Sequence, residues 1–123
     1  MKKTHNFKEL RIWKMSMELV KEIYSLSKLF PKEELFCLTL QIRKSAISIP
    51  SNIAEGCGRG SSDQLIQFIN YSRGSAYELE TQLMVAKMLD YHSNSGHIEG
   101  LLEKVKVIQI MIDSFIKSLE SKG

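Results

Sequence analysis

The sequence predicts an all-α protein, an antiparallel up-and-down four-helix bundle whose second helix is kinked at Pro50. Three observations point there. Apolar residues recur at three- and four-residue spacing through four long segments. Only seven Gly and two Pro occur in 123 residues, too few for the turns of an all-β chain. The breaks between segments are short, of the length that folds one helix back along the last. A hydrophobic fraction of 43% and a charged fraction of 25% are ordinary for a globular chain, and no linker interrupts the pattern, so a single domain over 1–123 is expected.

Helix one is expected over about 9–30. Ile12, Leu19, Ile23, Leu26 and Phe30 form its core stripe, and Trp13, Met17, Val20 and Tyr24 a second stripe beside it. Phe30-Pro31 ends it, because a residue before proline is pushed out of the α region. Helix two is expected over about 32–56, with Glu33 and Glu34 favourable in its first turn. Its stripe of Leu35, Leu38, Ile42, Ala46, Ile49 and Ile53 continues through Pro50, which predicts a kink in place of a break. Ser45, Ser48, Ser51 and Asn52 stand where they could satisfy the backbone groups that proline frees. Gly56-Cys57-Gly58-Arg59-Gly60 then permits a tight reversal.

Ser61-Ser62-Asp63-Gln64 matches a capping box and opens helix three, expected over about 61–90. Its stripe is Leu65, Phe68, Ile69, Ser72, Ala76, Leu79, Leu83, Ala86 and Leu89; small Ser72, Gly74, Ser75 and Ala76 invite close approach by another helix. His92-Ser93-Asn94-Ser95-Gly96 makes the last loop. Helix four, about 97–120, carries Ile98, Leu101, Val105, Ile108, Ile112, Phe115 and Leu119, with Val107, Ile110 and Met111 widening its apolar arc. That arc and the second stripe of helix one cannot both be buried in one four-helix core. An oligomer interface through Trp13, Met17, Val20, Tyr24, Val107, Ile110 and Met111 is therefore expected.

The net charge is +3, unevenly spread: residues 1–61 hold eleven basic and six acidic side chains, residues 62–123 six and eight. Such a balance permits nucleic-acid binding without demanding it. Arg43, Lys44 and Arg59, with Lys2, Lys3, Lys8 and Arg11, could form a basic face for phosphates near one end of the bundle, and Tyr71 and Tyr77 could offer stacking surfaces. Cys37 and Cys57 form no CxxC pair, and His5, His92 and His97 have no metal-ligand spacing, so no metal or cofactor is expected and both thiols read as small buried hydrophobes in a reducing cytoplasm. No apolar run reaches membrane-spanning length, and the N-terminus lacks the apolar core of a secretory signal.

The densest unusual stretch, residues 41–60, places polar groups around Pro50. Glu55 as a general base would need a nucleophile or metal within reach, and the local spacing supplies neither, so no catalytic residue is assigned. A structural polar cluster of Asn52, Glu55, Arg73 and Glu78 is expected instead, with Glu55 paired to Arg43, Arg59 or Arg73 as a buried carboxylate would be. GCGRG lacks the lysine-serine ending and preceding strand of a phosphate-binding loop.

The segments FKELRIWKMS, FPKEELFCLTLQIRKSAISIPSNIAEGCGRGS and FINYSRGSAYELETQL closely resemble the 23S rRNA-intervening sequence protein family. The most specific parts are Ser48-Ile49-Pro50-Ser51-Asn52-Ile53-Ala54-Glu55-Gly56 and Gly74-Ser75-Ala76-Tyr77-Glu78-Leu79-Glu80. The resemblance implies a four-helix bundle encoded, in some bacteria, within intervening sequences of the large ribosomal RNA gene, and a ring-like homopentamer. More distantly it reaches the accessory protein of diversity-generating retroelements, a basic pentameric barrel that binds nucleic acid and a reverse transcriptase. Two functions follow as expectations. One is a non-enzymatic oligomer binding RNA or DNA through a basic surface; the other is a protein-interaction scaffold or accessory subunit, for example for a polymerase-like partner.

Overall fold

The computed structural model describes residues 5–91 and 95–122; Lys2, Lys3 and His92 to Asn94 of the last loop lie outside them. A 3-10 turn, Phe7–Glu9, precedes α1 (Arg11–Ser27); a second, Lys32–Glu34, precedes α2 (Leu38–Cys57); α3 (Ser62–Met88) and α4 (Ser95–Lys122) complete the described chain. The helices form a square, α1 and α3 each packed against α2 and α4 and diagonal to one another. Contacts rise along one helix as they fall along the next: Ser45 meets Glu78, Ser48 meets Ser75 and Ile49 meets Ser72 between α2 and α3. Arg73 meets Asp113, and Lys87 meets Glu99, between α3 and α4. Neighbouring helices are thus antiparallel.

The core is the sequence-predicted stripe with few exceptions. Leu19, Ile23, Leu26, Ile42, Ile49, Ile53, Ile69, Leu79, Leu83, Ile98, Leu101 and Ile108 are fully buried, each stabilising the fold by about 1.5–3 kcal/mol relative to exposure. On α4 Ile116 is buried, while Phe115 is half-buried with its ring edge-on to His5. Leu89 and Leu35 are exposed.

Leu35 is outside because α2 begins six residues later than its rhythm suggests. Pro31 starts only a 3-10 turn, closed by Leu35 N–H donating to Lys32 O. Cys37 then takes φ −119°, ψ −106°, outside the helical region. Its side chain caps nothing; the Leu38 amide donates to the Glu34 carboxylate at 3.1 Å. Glu34 also accepts the Tyr91 hydroxyl at 2.6 Å, and these two bonds, Tyr91 first, hold its carboxyl below the usual range. The same contact raises the Tyr91 phenol. Cys37 is exposed, against expectation, because it lies in this connection; Cys57 is buried and burial pushes its thiol up.

Helix α1 ends at Ser27, its last amides tightening into i→i+3 bonds that still carry Phe30 into the core. Ser61 caps α3, its hydroxyl accepting from the Gln64 amide at 3.2 Å. At the far end Asp90 adopts φ 57° and Tyr91 N–H donates to Ala86 O, the closure usually left to glycine. Helix α2 runs without interruption through Pro50.

Candidate interaction surface

Small side chains close the α2–α3 seam. A Cβ on Gly56 would lie 2.9 Å from Phe68 Cβ and 3.2 Å from Leu65 O, so only glycine admits α3 at this distance. Ser72 Oγ donates to Ile49 O at 2.7 Å, Ser48 and Ser75 share a hydroxyl bond of 2.7 Å, and Asn52 Nδ2 donates to Ser48 O at 2.9 Å. Ser45, Ser48, Ser72 and Ser75 therefore bond across the seam or receive Asn52, Ser51 is exposed, and among the described residues no side chain is bonded to Ala46 O, the carbonyl whose partner Pro50 removes.

The predicted polar residues do not form one cluster. Glu78 accepts from Ser45, Arg73 reaches across to Asp113 at 2.8 Å and to Asn70, and Asn52 turns back on its own helix. Glu55 pairs with Arg59 at 2.6 Å, with their side chains 50% and 43% exposed. The expectation of a buried carboxylate is corrected: position 55 points away from the seam that Gly56 closes.

Arg43, Lys44 and Arg59 are not gathered near one end. Arg43 and Lys44 lie in the first third of α2 and Arg59 beyond its last residue, about 24 Å apart along the axis at 1.5 Å per residue. Arg43 is committed within the bundle, its Nε donating to Ser27 Oγ at 2.8 Å and its guanidinium 4.6 Å from the Tyr24 ring centre. Arg59 covers Phe68 at 4.7 Å besides holding Glu55. Lys44 is exposed, as are Tyr71, bonded to Gln67, and Tyr77.

Large apolar side chains are left on both flanks of α1. On the α2 side Trp13, Met17 and Val20 face Ile47, Pro50, Ser51 and Ala54 across a groove of about 300 Å³. On the α4 side Leu10, Arg11 and Ile12 face Ile110, Met111, Ser114 and Phe115 across one of about 340 Å³. Met17 is 44% exposed, Val107 42% and Ile110 57%. Trp13, Val20 and Met111 are half-buried, and Tyr24 is half-buried beneath Arg43. Sequence reasoning named Ile110 and Met111 of the second groove but missed the α2 wall of the first, although Ile47, Pro50 and Ala54 recur at three- and four-residue spacing off the core stripe of α2.

A family model described as 23S rRNA-intervening sequence protein matches residues 8–114. The chain belongs to that family. A solved structure similar to it is a protein of unknown function from the S23 ribosomal protein family of Bacteroides thetaiotaomicron VPI-5482, 25% identical, with a TM-score of 0.79, covering 86% of this chain and 98% of that one. No curated protein matches. In this member of the intervening-sequence family the Ser48–Gly56 segment therefore has a physical reading. Ser48 and Asn52 bond at the α3 seam, Pro50 lines the α1 groove, and Gly56 sets the distance between α2 and α3. No helix among the described residues is long and apolar enough to cross a membrane.

Proposed function

We propose that this chain is a non-enzymatic, self-associating helical scaffold, assembled through the two grooves that flank α1. One observation carries the reading: opposite flanks of a single helix bear different, largely apolar grooves. A copy offering two unlike surfaces associates head to tail, the α4 edge of one against the α1–α2 groove of the next, and such contacts form a ring when the rotation from copy to copy closes and a filament when it does not. The homopentamer implied by the family resemblance is of this kind. Glu55, the nearest approach to a general base in the family motif, is occupied by Arg59, which supports a role without catalysis. Two free cysteines suit a reducing, cytoplasmic setting.

Light scattering with circular dichroism tests the assembly. Wild type exceeds monomer mass at micromolar concentration, and Met17→Asp or Ile110→Asp lowers that mass at least two-fold with helicity intact, since both positions are exposed. A monomeric wild type would overturn the proposal.

RNA or DNA binding is a second reading, favoured by Lys44, which is exposed and in no ion pair among the described residues. Repeated around a ring it gives a set of separated cations, suited to phosphates and blind to sequence. Binding of single-stranded RNA at low salt that weakens with salt, by about 0.7 in the log–log slope per phosphate, and is lost in Lys44→Glu would establish it. Binding indifferent to Lys44→Glu leaves the scaffold, with a protein partner such as a polymerase-like enzyme, as the working description.

A further inference from the structure

The end of the bundle where α1 passes into α2 also carries apolar side chains that the fold leaves outside. Phe36 is 82% exposed, and Leu29, Leu35, Leu40, Met88 and Leu89 are exposed at the same end. The connection that displays them is fixed at both its base and its middle. Phe30 is buried with its ring 5.8 Å from that of Tyr91, and Glu34 holds both the Tyr91 hydroxyl and the Leu38 amide. A segment anchored this way gains nothing within the monomer from Leu35 and Phe36.

We propose that this tip is a two-fold contact with a second copy of the chain. Six such side chains, each showing on the order of 100 Å², amount to roughly 600 Å² per copy. A pair then buries about 1,200 Å², the lower bound of a stable specific interface. The charges fit the same partner. Lys28, Lys32, Glu33 and Asp90 are exposed at this end and in no ion pair among the described residues. With Glu34, whose carboxylate accepts from Tyr91 and Leu38, the tip holds two cations and three anions, and across a two-fold axis the cations of one copy can meet the anions of the other. Nucleic acid or an anionic bilayer would be drawn by net positive charge, which this tip lacks. The contact uses none of the groove residues beside α1, so it holds or fails independently of head-to-tail association; where both operate, rings stack tip to tip.

The test uses the full chain and four proteins: wild type, Phe36→Asp, Ile110→Asp and the double variant. Phe36→Asp halves the wild-type mass in light scattering, Ile110→Asp leaves a pair of copies, and the double variant is a monomer. Cys37 neighbours Phe36 and is exposed, whereas Cys57 is buried. A short bis-maleimide applied to native protein therefore joins two copies through Cys37 in wild type and Ile110→Asp, and not in Phe36→Asp. Should Ile110→Asp leave the wild-type mass unchanged while Phe36→Asp yields monomer, the tip contact stands and head-to-tail association falls. A Phe36→Asp protein with wild-type mass, or with undiminished Cys37 cross-linking, overturns the tip contact.

Discussion

The α2–α3 seam and the flanks of α1 are made of opposite materials. Between α2 and α3 the residues are small: Gly56 admits the Phe68 and Leu65 backbone region, and Ser48, Ser72 and Ser75 tie the helices by hydroxyls only 2.7 Å from their partners. Around α1 the residues are large, and Trp13, Met17, Ile47, Ile110 and Phe115 line grooves that no other part of the described chain fills. Small groups bring backbones together and finish an interface within one copy, whereas large apolar groups left at a surface await one from outside.

The comparison is broken most severely at Gly56. Gly56→Val places a branched side chain where even a Cβ meets Phe68 Cβ at 2.9 Å, and neither that atom nor Leu65 O can move without its backbone. We expect a loss of about 3 kcal/mol, the upper range for overpacking, read as a lower urea midpoint. A substitution of similar size at Gly74, where an added Cβ meets nothing within 4 Å, should leave the fold intact; equal losses at the two glycines would remove the distinction between a closed and an open helix face.

A smaller break is Ser72→Ala. The hydroxyl is fully buried and donates to Ile49 O across the seam. Its removal is expected to cost about 1 kcal/mol, as measured by chemical denaturation, with no change of assembly mass.

The limits of the sequence reading follow the same division. Long-range periodicity located the core of all four helices, because Ile23, Ile42, Ile69 and Ile108 sit on stripes that any packed bundle must bury. It placed α2 too early, since Leu35 continues the rhythm while Cys37 breaks the backbone, and dihedral angles leave no trace in hydrophobic spacing. The Glu34–Tyr91 bond joins residues 57 apart, and no local pattern announces it. Arg43, Lys44 and Arg59 are close in sequence and were expected at one end; at 1.5 Å per residue a helix spreads them along its length.

The Glu34 brace supplies a test at the opposite end from Gly56. Its carboxyl is held below the usual range by Tyr91 and then the Leu38 amide. A depressed folded-state pKa gives stability that is present above the unfolded value of about 4.3 and lost as pH falls through the folded value. Wild type should therefore exceed Glu34→Gln in melting temperature at neutral pH, and the difference should close in acid. A gap that persists at pH 2 would assign the effect of Glu34 to packing and not to charge.

The smallest effect is expected at Glu55, beside Gly56 in sequence yet on the other side of the comparison. Read from sequence as a buried partner of arginine, Glu55 would cost about 3–5 kcal/mol to remove, because a buried charge would be left unpaired. In the structure its side chain is half exposed, and so is that of Arg59, so water replaces either partner. Arg59 also keeps its place over the Phe68 ring at 4.7 Å when the carboxylate is gone. Glu55→Ala should then change stability by about 0.5 kcal/mol or less, and less again in high salt, where an exposed pair is screened. A loss of several kcal/mol in the monomeric Phe36→Asp, Ile110→Asp double variant would mean that Glu55 is held within one copy after all. The same loss confined to the assembled protein would place Glu55 at a contact between copies, extending the α1–α2 groove from Met17 and Ile47 to the turn at Arg59.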